Sequence, residues 1–259
     1  MINVGAVVLA GEGKKRWPYY PGTATCRAEL SIGGNLLGHH VAHAVSSVAS
    51  QVVYVGTTPP DSMVWARPGD TLSQSMYHGA EKLTHTEIEA VLFITADLPF
   101  LCQESLQWLL EQAEFAFQSG ADTCCIVAHK AHCETLCSGM KRTYARLKDG
   151  TLTFGNAVLV RRQSCGRLLR AVNFLYPRRK NPLALMTLLG ADTAVRYALA
   201  QCGAPSVLSI RQITQRANLA SELKLVAIET ERPSHASLAQ DVDTYAHWQT
   251  ASVAAGRKK

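Results

Sequence analysis

Ile94-Thr-Ala-Asp-Leu-Pro-Phe100 sets a carboxylate, Asp97, just past an apolar run, and Pro99 fixes the turn that follows. Near the N-terminus, Gly5-Ala-Val-Val-Leu-Ala-Gly-Glu-Gly-Lys-Lys-Arg-Trp17 empties a similar run into a loop with Gly11, Gly13, Lys14, Lys15 and Arg16. Glycines can turn backbone N–H groups toward an anion, and lysine or arginine adds charge-assisted contacts to phosphate. Magnesium is commonly held by one or two carboxylates together with phosphate oxygens. A basic glycine loop and an aspartate, each past a buried strand, therefore suit a metal–triphosphate ligand if the two strands are neighbours. The loop lacks the GxxxxGK[ST] of a P-loop and the GxGxxG of a dinucleotide fold. A solvated basic loop, and a helix N-cap at Asp97, are the plainer alternatives.

Three further groups carry chemistry-bearing residues. Asn156, in Phe154-Gly-Asn-Ala-Val-Leu-Val160, would place an amide near an acceptor substrate, or else mark a strand bulge. The basic run Arg161, Arg162, Arg167, Arg170, Arg178, Arg179 and Lys180 would bind a phosphorylated acceptor or departing pyrophosphate, with Arg178 and Lys180 its acceptor candidates; a solvated helix face and loop is the favoured reading. Cys124, Cys125, His129, His132, Cys133 and Cys137 match no paired zinc framework, and buried free thiols plus a surface loop explain most of them.

The elements that must position these residues follow from hydrophobic periodicity. Val4 to Leu9, Gln51 to Val55, Ala90 to Thr95 and Thr123 to Val127 read as short buried strands. Helical patterns separate them: from Leu37, from about Ser73 to Leu83, and through Leu106, Leu109, Leu110, Ala113 and Phe117 to a stop at Gly120. That alternation predicts right-handed βαβ units and a mostly parallel sheet. In the second half, Asp149-Gly150 predicts a hairpin. Helices are expected around Gln163–Leu175 and Leu183–Gln201, strands near Val207–Ile210 and Leu223–Ile228, and a last helix near Val242–Val253.

The 259 residues are 47% hydrophobic and 18% charged, enough for one sizeable domain over 1–255 with a basic tail over 256–259. A net charge of +6 leans toward anionic small molecules and does not demand a nucleic-acid partner. No run approaches the roughly 18 apolar residues of a membrane span. The start of the chain shows no charged leader or cleavage site, so the expectation is a cytoplasmic protein with reduced thiols.

In their order along the chain, "LAG…R", "RAELSIGG", "PGDTLSQSMYHGAEKL", "TADLPFL" and "DVDT" resemble the GT-A-type nucleotidyltransferases, and within them the MobA-like NTP transferases. The resemblance implies a Rossmann-like three-layer αβα fold, its sheet mostly parallel, with a small α+β insertion in the second half. It implies a triphosphate loop over Leu9, Ala10, Gly11 and onward to Trp17, its arginine at Arg16. Glu12 and Lys14 stand where that family has glycines, and a carboxylate there repels phosphate unless the lysines pair with it. The family's lysine after the loop falls on Arg27, which keeps the charge and changes its geometry.

Pro68 to Gly79 matches the segment that frames the nucleobase, making Gly69, Ser73 and Ser75 nucleotide-binding candidates. Asp97 matches the first metal aspartate, and Asp243, with Asp241 as the alternate, the second, for Mg2+ or Mn2+; capping of the last helix is their other use. The implied reaction is transfer of a nucleoside monophosphate from an NTP to a small acceptor, itself phosphorylated or not, with pyrophosphate leaving. Arg16, Arg27 and Asp97 would be the catalytic groups. Glu12 keeps alive a degenerate, non-catalytic nucleotide binder. A nucleotide-sugar glycosyltransferase ranks lower, because Asp241-Val-Asp243 has the D-x-D letters at the wrong end of the chain. Neither the base nor the acceptor is legible.

Overall fold

The computed structural model describes residues 2–11, 21–22, 24–57, 59–179 and 181–256. The candidates Gly13, Lys14, Lys15, Arg16 and Lys180, together with Glu12 and the last three residues of the tail, lie outside that set. The first strand, β1 (Val4–Ala10), is almost wholly apolar because both its faces are covered: Val4, Ala6 and Val8 pack into one cluster and Val7 into another across the sheet. A two-residue-stranded hairpin, β2 (Ser31–Ile32) and β3 (Asn35–Leu36), leads into α1 (Leu37–Ser46). The chain then adds β4 (Gln51–Gly56) parallel to β1, and β5 (Val64–Ala66) parallel to β4. Helix α2 (Leu72–Glu81) carries it back to β6 (Ala90–Thr95), which pairs parallel with the opposite side of β1. The direction of strand addition therefore reverses at β1, and in open α/β sheets ligands bind in the crevice past the strand ends at such a reversal.

Beyond β6 come α3 (Gln103–Gln118), β7 (Thr123–His129), α4 (Lys130–Leu136), and the hairpin β8 (Ala145–Leu147) and β9 (Gly150–Arg161). Four helices follow: α5 (Cys165–Leu175), α6 (Pro182–Leu188), α7 (Ala191–Gln201) and α8 (Ile210–Ser221). Strand β10 (Leu225–Glu229) and helix α9 (Tyr245–Gly256) end the fold. The eight-stranded sheet runs β10-β7-β9-β6-β1-β4-β5, with β8 on β9; β9 runs antiparallel to its neighbours β6, β7 and β8, and the other pairings described in this sheet are parallel. Helices α1 and α3 cover one face through Val41, Val45, Leu106 and Leu109; α2 and α5 cover the other through Met76 and Leu168. This is the expected three-layer αβα arrangement. Helices α6 to α8 build a satellite core over β8 and β9 with Met186, Ala194, Leu208 and Ile213.

Local sequence explains the departures from expectation. No strand forms near Val207–Ile210. Ser209 accepts a hydrogen bond from the Gln212 N–H while Gln212 Oε1 accepts from the Ser209 N–H, and this capping box starts α8 there. The apolar residues around it enter the satellite core from a helix rather than alternating along a strand. The helix expected over Leu183–Gln201 breaks at Gly190, whose φ of 123° ends α6 and restarts the chain as α7. The hairpin at Asp149-Gly150 forms as expected, but its second strand continues to Arg161 and inserts between β6 and β7. Among the described residues no helix is long and apolar enough to cross a membrane.

Candidate functional site

A cavity of about 430 Å3 opens past the C-terminal ends of β1 and β6. Leu9, Ala10 and Gly11 form its floor, Arg27 and Ala28 one wall, and Pro68 to Leu72 with Ser75 another. Thr95 and Asp97 enter from β6, and Tyr176, Pro177 and Arg179 close it from above the sheet. The pairing Leu9↔Thr95 is what brings the glycine-loop strand beside the aspartate.

Asp97 is held firmly. Ile94 and Leu98 on either side of it are fully buried, and burial of each such side chain contributes on the order of 2 kcal/mol. The main chain is tied as well, because the Val242 N–H donates to the Asp97 carbonyl at 2.9 Å. That bond brings the Asp241–Asp243 segment, nearly 150 residues later, against the end of β6. The carboxylate itself is 11% exposed. Its Oδ2 lies 2.8 Å from Arg27 Nη1, and its buried Oδ1 has no hydrogen-bond partner among the described residues. Helix α3 begins after Cys102, so Asp97 is not its cap.

Arg27 ties the site together. It starts a short 3-10 turn, Arg27–Glu29, that packs under α1. The same Nη1 that meets Asp97 lies 2.9 Å from Asp243 Oδ1 and donates to the Val242 carbonyl at 3.4 Å. Asp241 turns the other way and pairs with Arg142, both nearly buried. Burial lowers the Arg142 guanidinium from its ordinary value, while Asp243 and Asp97 nearby work to raise it. Neither aspartate caps α9: Thr244 does, its Oγ1 accepting from the His247 N–H at 3.2 Å. His247, lowered by burial, presents Nδ1 to the Asp243 N–H at 3.3 Å and so is neutral on that side.

The opposite wall is a turn locked onto the start of α2. Thr71 and Gln74 form a capping box, and the Gly69 N–H donates to Ser75 Oγ at 2.9 Å. A Cβ on Gly69 would lie 3.0 Å from the backbone of both Gln74 and Ser75, so only glycine lets the turn sit this close. Gly79, further along α2, would drive a Cβ into Val7, and its absence lets the helix lie on β1. The helix N-terminus, with its partial positive charge, therefore ends at the cavity. Ser73 is not in the lining; its hydroxyl donates to Asn173 Oδ1 instead.

The remaining candidates separate. Asn156 sits in a bulge: Cys125 pairs with Val158 and Val127 with Phe154, so Gly155, Asn156 and Ala157 face the single residue Ile126. Asn156 directly precedes Ala157, the partner of Ile94, and its Nδ2, like Thr95 Oγ1, is buried without a partner among the described residues. Arg178 lies away from the cavity, stacked on Phe174 and donating to its carbonyl. Its neighbour Arg179 lines the cavity instead, 3.6 Å from the Tyr176 ring centre. In the Cys/His group, His129 meets Glu229, His132 meets Thr230 Oγ1, and Cys124 and Cys133 are buried. Among the described residues no three His, Cys, Asp or Glu side chains are arranged to hold a metal ion.

Sequence reasoning missed Thr71, Tyr176 and Arg142, and it had Arg179 only as one member of the basic run. The T-x-x-Q of the capping box could have placed Thr71 at a helix start. For Tyr176 and Arg142 no local signal exists, because only the tertiary fold brings them near β6.

A family model of the MobA-like NTP transferase domain matches residues 6–170, well over half the chain. No curated protein matches. A solved structure of a hypothetical transferase from Thermus thermophilus is 27% identical, with a TM-score of 0.77, over 95% of this chain and 100% of that one. CMP:2-keto-3-deoxy-manno-octonic acid synthetase complexed with CTP is 12% identical, with a TM-score of 0.58, over 99% and 100% of the two chains. The 2-C-methyl-D-erythritol 4-phosphate cytidylyltransferase from Thermus thermophilus is 14% identical, with a TM-score of 0.53, again over 99% and 100%. At such identities the last two establish likeness of fold alone.

Proposed function

The chain belongs to the MobA-like NTP transferase domain family, and on that premise we propose that it moves a nucleoside monophosphate from an NTP to a small acceptor in a divalent-metal-dependent reaction. One observation carries the reading. The cavity joins the end of β1, the Gly69–Ser75 turn and Arg27 to a buried Asp97 whose Oδ1 has no partner among the described residues. An orphaned, nearly buried carboxylate oxygen is costly unless a ligand completes it. Asp97 and Asp243 offer only hard oxygen donors, and a pair of carboxylates suits Mg2+ or Mn2+, ions that take their other ligands from phosphate and water. Bound there, the ion would neutralise charge on the phosphate oxygens during transfer.

The chain's own residues do the rest. The turn at Gly69, fixed by Ser75, frames the base, and the start of α2 favours negative charge beside it. Gly11 leads into the loop whose Lys14, Lys15 and Arg16 would take the β- and γ-phosphates. Arg27 stands beside both carboxylates and lines the cavity, in position to meet the α-phosphate. The acceptor oxygen attacks the α-phosphorus in line, a new P–O bond forms, the bond to the β-phosphate breaks, and pyrophosphate departs. Positioning and charge stabilisation supply the acceleration, with no covalent enzyme intermediate. Asn156, next to the Ala157 that pairs with Ile94 of β6, is the acceptor-side candidate.

Thermal-shift titration with CTP, GTP, ATP and UTP, each with and without Mg2+, tests the reading. A ligand that binds only the folded chain raises Tm as its concentration passes Kd. A metal-dependent rise for one nucleotide is expected, followed by pyrophosphate release with the right acceptor. No shift with any of the four at millimolar concentration would leave a protein that has lost its nucleotide.

A further inference from the structure

We propose that Arg27 is an internal counter-ion that holds the two metal-side carboxylates in the metal-free protein, so that a divalent ion enters only together with a nucleotide. The inference rests on the nucleotide-transfer reading above and adds an order to it. A single nitrogen, Arg27 Nη1, lies 2.8 Å from Asp97 Oδ2, 2.9 Å from Asp243 Oδ1 and 3.4 Å from the Val242 carbonyl. Those are oxygen donors gathered around one positively charged atom, the set a hard cation seeks. A divalent ion placed between the same carboxylates would stand against the guanidinium charge at short range, and in a half-buried site that repulsion is poorly screened.

The alternative partner for such an ion is closed off. Asp241, the third carboxylate of the cluster, is taken by Arg142 in a pair where both side chains are about nine-tenths buried. Breaking that pair would leave the buried Arg142 guanidinium without its ion-pair partner. The ion must therefore use Asp97 and Asp243, and Arg27 must yield them. A nucleotide makes the exchange favourable from both sides. Its phosphates bring ligands for the ion, and they offer the guanidinium a bidentate acceptor in place of the one it gives up. Arg27 lines the cavity, so its fork needs to swing rather than travel. Asp97 Oδ1, which no described residue hydrogen-bonds, is the oxygen that would receive the ion first. An arginine suits this role, since its planar guanidinium matches a phosphate in bidentate fashion.

The test uses Mn2+ as the probe, followed by electron paramagnetic resonance of the free ion, on the full-length protein. Wild type should bind Mn2+ at the site at least ten-fold more tightly with one of CTP, GTP, ATP or UTP present than without. Arg27→Gln, which keeps reach and loses charge, should bind Mn2+ alone at least ten-fold more tightly than wild type. Arg27→Lys should stay close to wild type. Equal Mn2+ affinity of wild type with and without the nucleotide that it binds, or no gain in Arg27→Gln, overturns the inference. The wild-type comparison stands even if a variant fails to fold. Tighter Mn2+ binding in Arg27→Gln, with no nucleotide recognised by any variant, supports the counter-ion and sinks the transferase reading instead.

Discussion

Replacing Gly69 with alanine tests whether the turn against α2 is what shapes the nucleotide cavity. The new Cβ would lie 3.0 Å from the Gln74 carbonyl carbon and 3.0 Å from the Ser75 nitrogen, and it would overlap the Gln74 Cβ. Two of those neighbours are backbone in a helix fixed by its capping box, so the turn has to give way. Overpacking of this kind costs about 1–3 kcal/mol, and for a chain of this size each kcal/mol shifts Tm by about 2–4 °C. The expected fall is therefore roughly 2–12 °C by calorimetry. Displacing the turn also breaks the Gly69 N–H to Ser75 hydrogen bond, so nucleotide affinity should drop about ten-fold, or about 1.4 kcal/mol. Gly166→Ala is the matched control. Gly166 lies in α5 with only the far end of the Arg170 side chain, at 3.9 Å, near its missing Cβ, and alanine should stabilise that helix by about 0.5–1 kcal/mol. An unchanged Tm in Gly69→Ala would refute the close approach. A lowered Tm with unchanged nucleotide affinity would show that the turn is structural and frames nothing.

Asp97→Asn should weaken metal–nucleotide binding about 100-fold. At a nucleotide concentration of 100 Kd, the wild-type stabilisation of about 2.7 kcal/mol would shrink to about 0.4 in the variant, and a full shift in thermal titration would exclude Asp97 from the site. Arg179→Ala should raise the Kd of the preferred nucleotide roughly ten-fold, or about 1.4 kcal/mol, whereas Arg178→Ala, stacked on Phe174 away from the cavity, should leave it unchanged; equal effects would contradict the placement. Acid should destabilise the fold. Burial lowers His40, His132, His235 and His247 from the ordinary 6.5, so the unfolded chain takes up protons first. Stability is then full above about pH 6.5 and is lost as pH falls through the folded values, by as much as ~1.4 kcal/mol per pH unit for the buried His235. His235→Phe keeps the stack on Trp108, 3.9 Å between ring centres, and should flatten the slope of Tm between pH 6.5 and 5.

The legible parts of this molecule are those whose signals are local. β1 and β6 announce themselves as apolar runs because both their faces are covered, and Asp97 could be placed at a strand end for the same reason. The hairpin at Asp149-Gly150 carries its turn chemistry in two letters. The rest depends on distant packing. The apolar letters of Val207 to Ile210 are compatible with a strand, and only the Ser209–Gln212 box decides for a helix. Asn156 could not be resolved between amide and bulge, since the slip of register is a property of β7 against β9; it proves to be a bulge that also leaves the amide unpartnered. The run of arginines offered no way to tell Arg178 from Arg179. One residue along a turn moves a guanidinium from Phe174 into the cavity.

The site draws on two parts of the chain with different standing. The matched family region, residues 6–170, contributes the end of β1, Arg27, the turn at Gly69 and Asp97. Asp243, Tyr176 and Arg179 come from beyond it, as does the Asp241 that occupies Arg142. Under the proposed function, the shared region would hold the triphosphate and the first metal carboxylate, which every NTP donor needs alike. The later region would add the second carboxylate and, through Tyr176 and Arg179, a second wall beside the Gly69 turn, where a choice of base or acceptor can be made without disturbing transfer. Variants at Tyr176 and Arg179 should therefore change which nucleotide binds, whereas variants at Asp97 should weaken all four together. Competition of CTP, GTP, ATP and UTP for the site in Arg179→Ala measures this directly, and a uniform loss of all four would place selectivity back in the Gly69 turn.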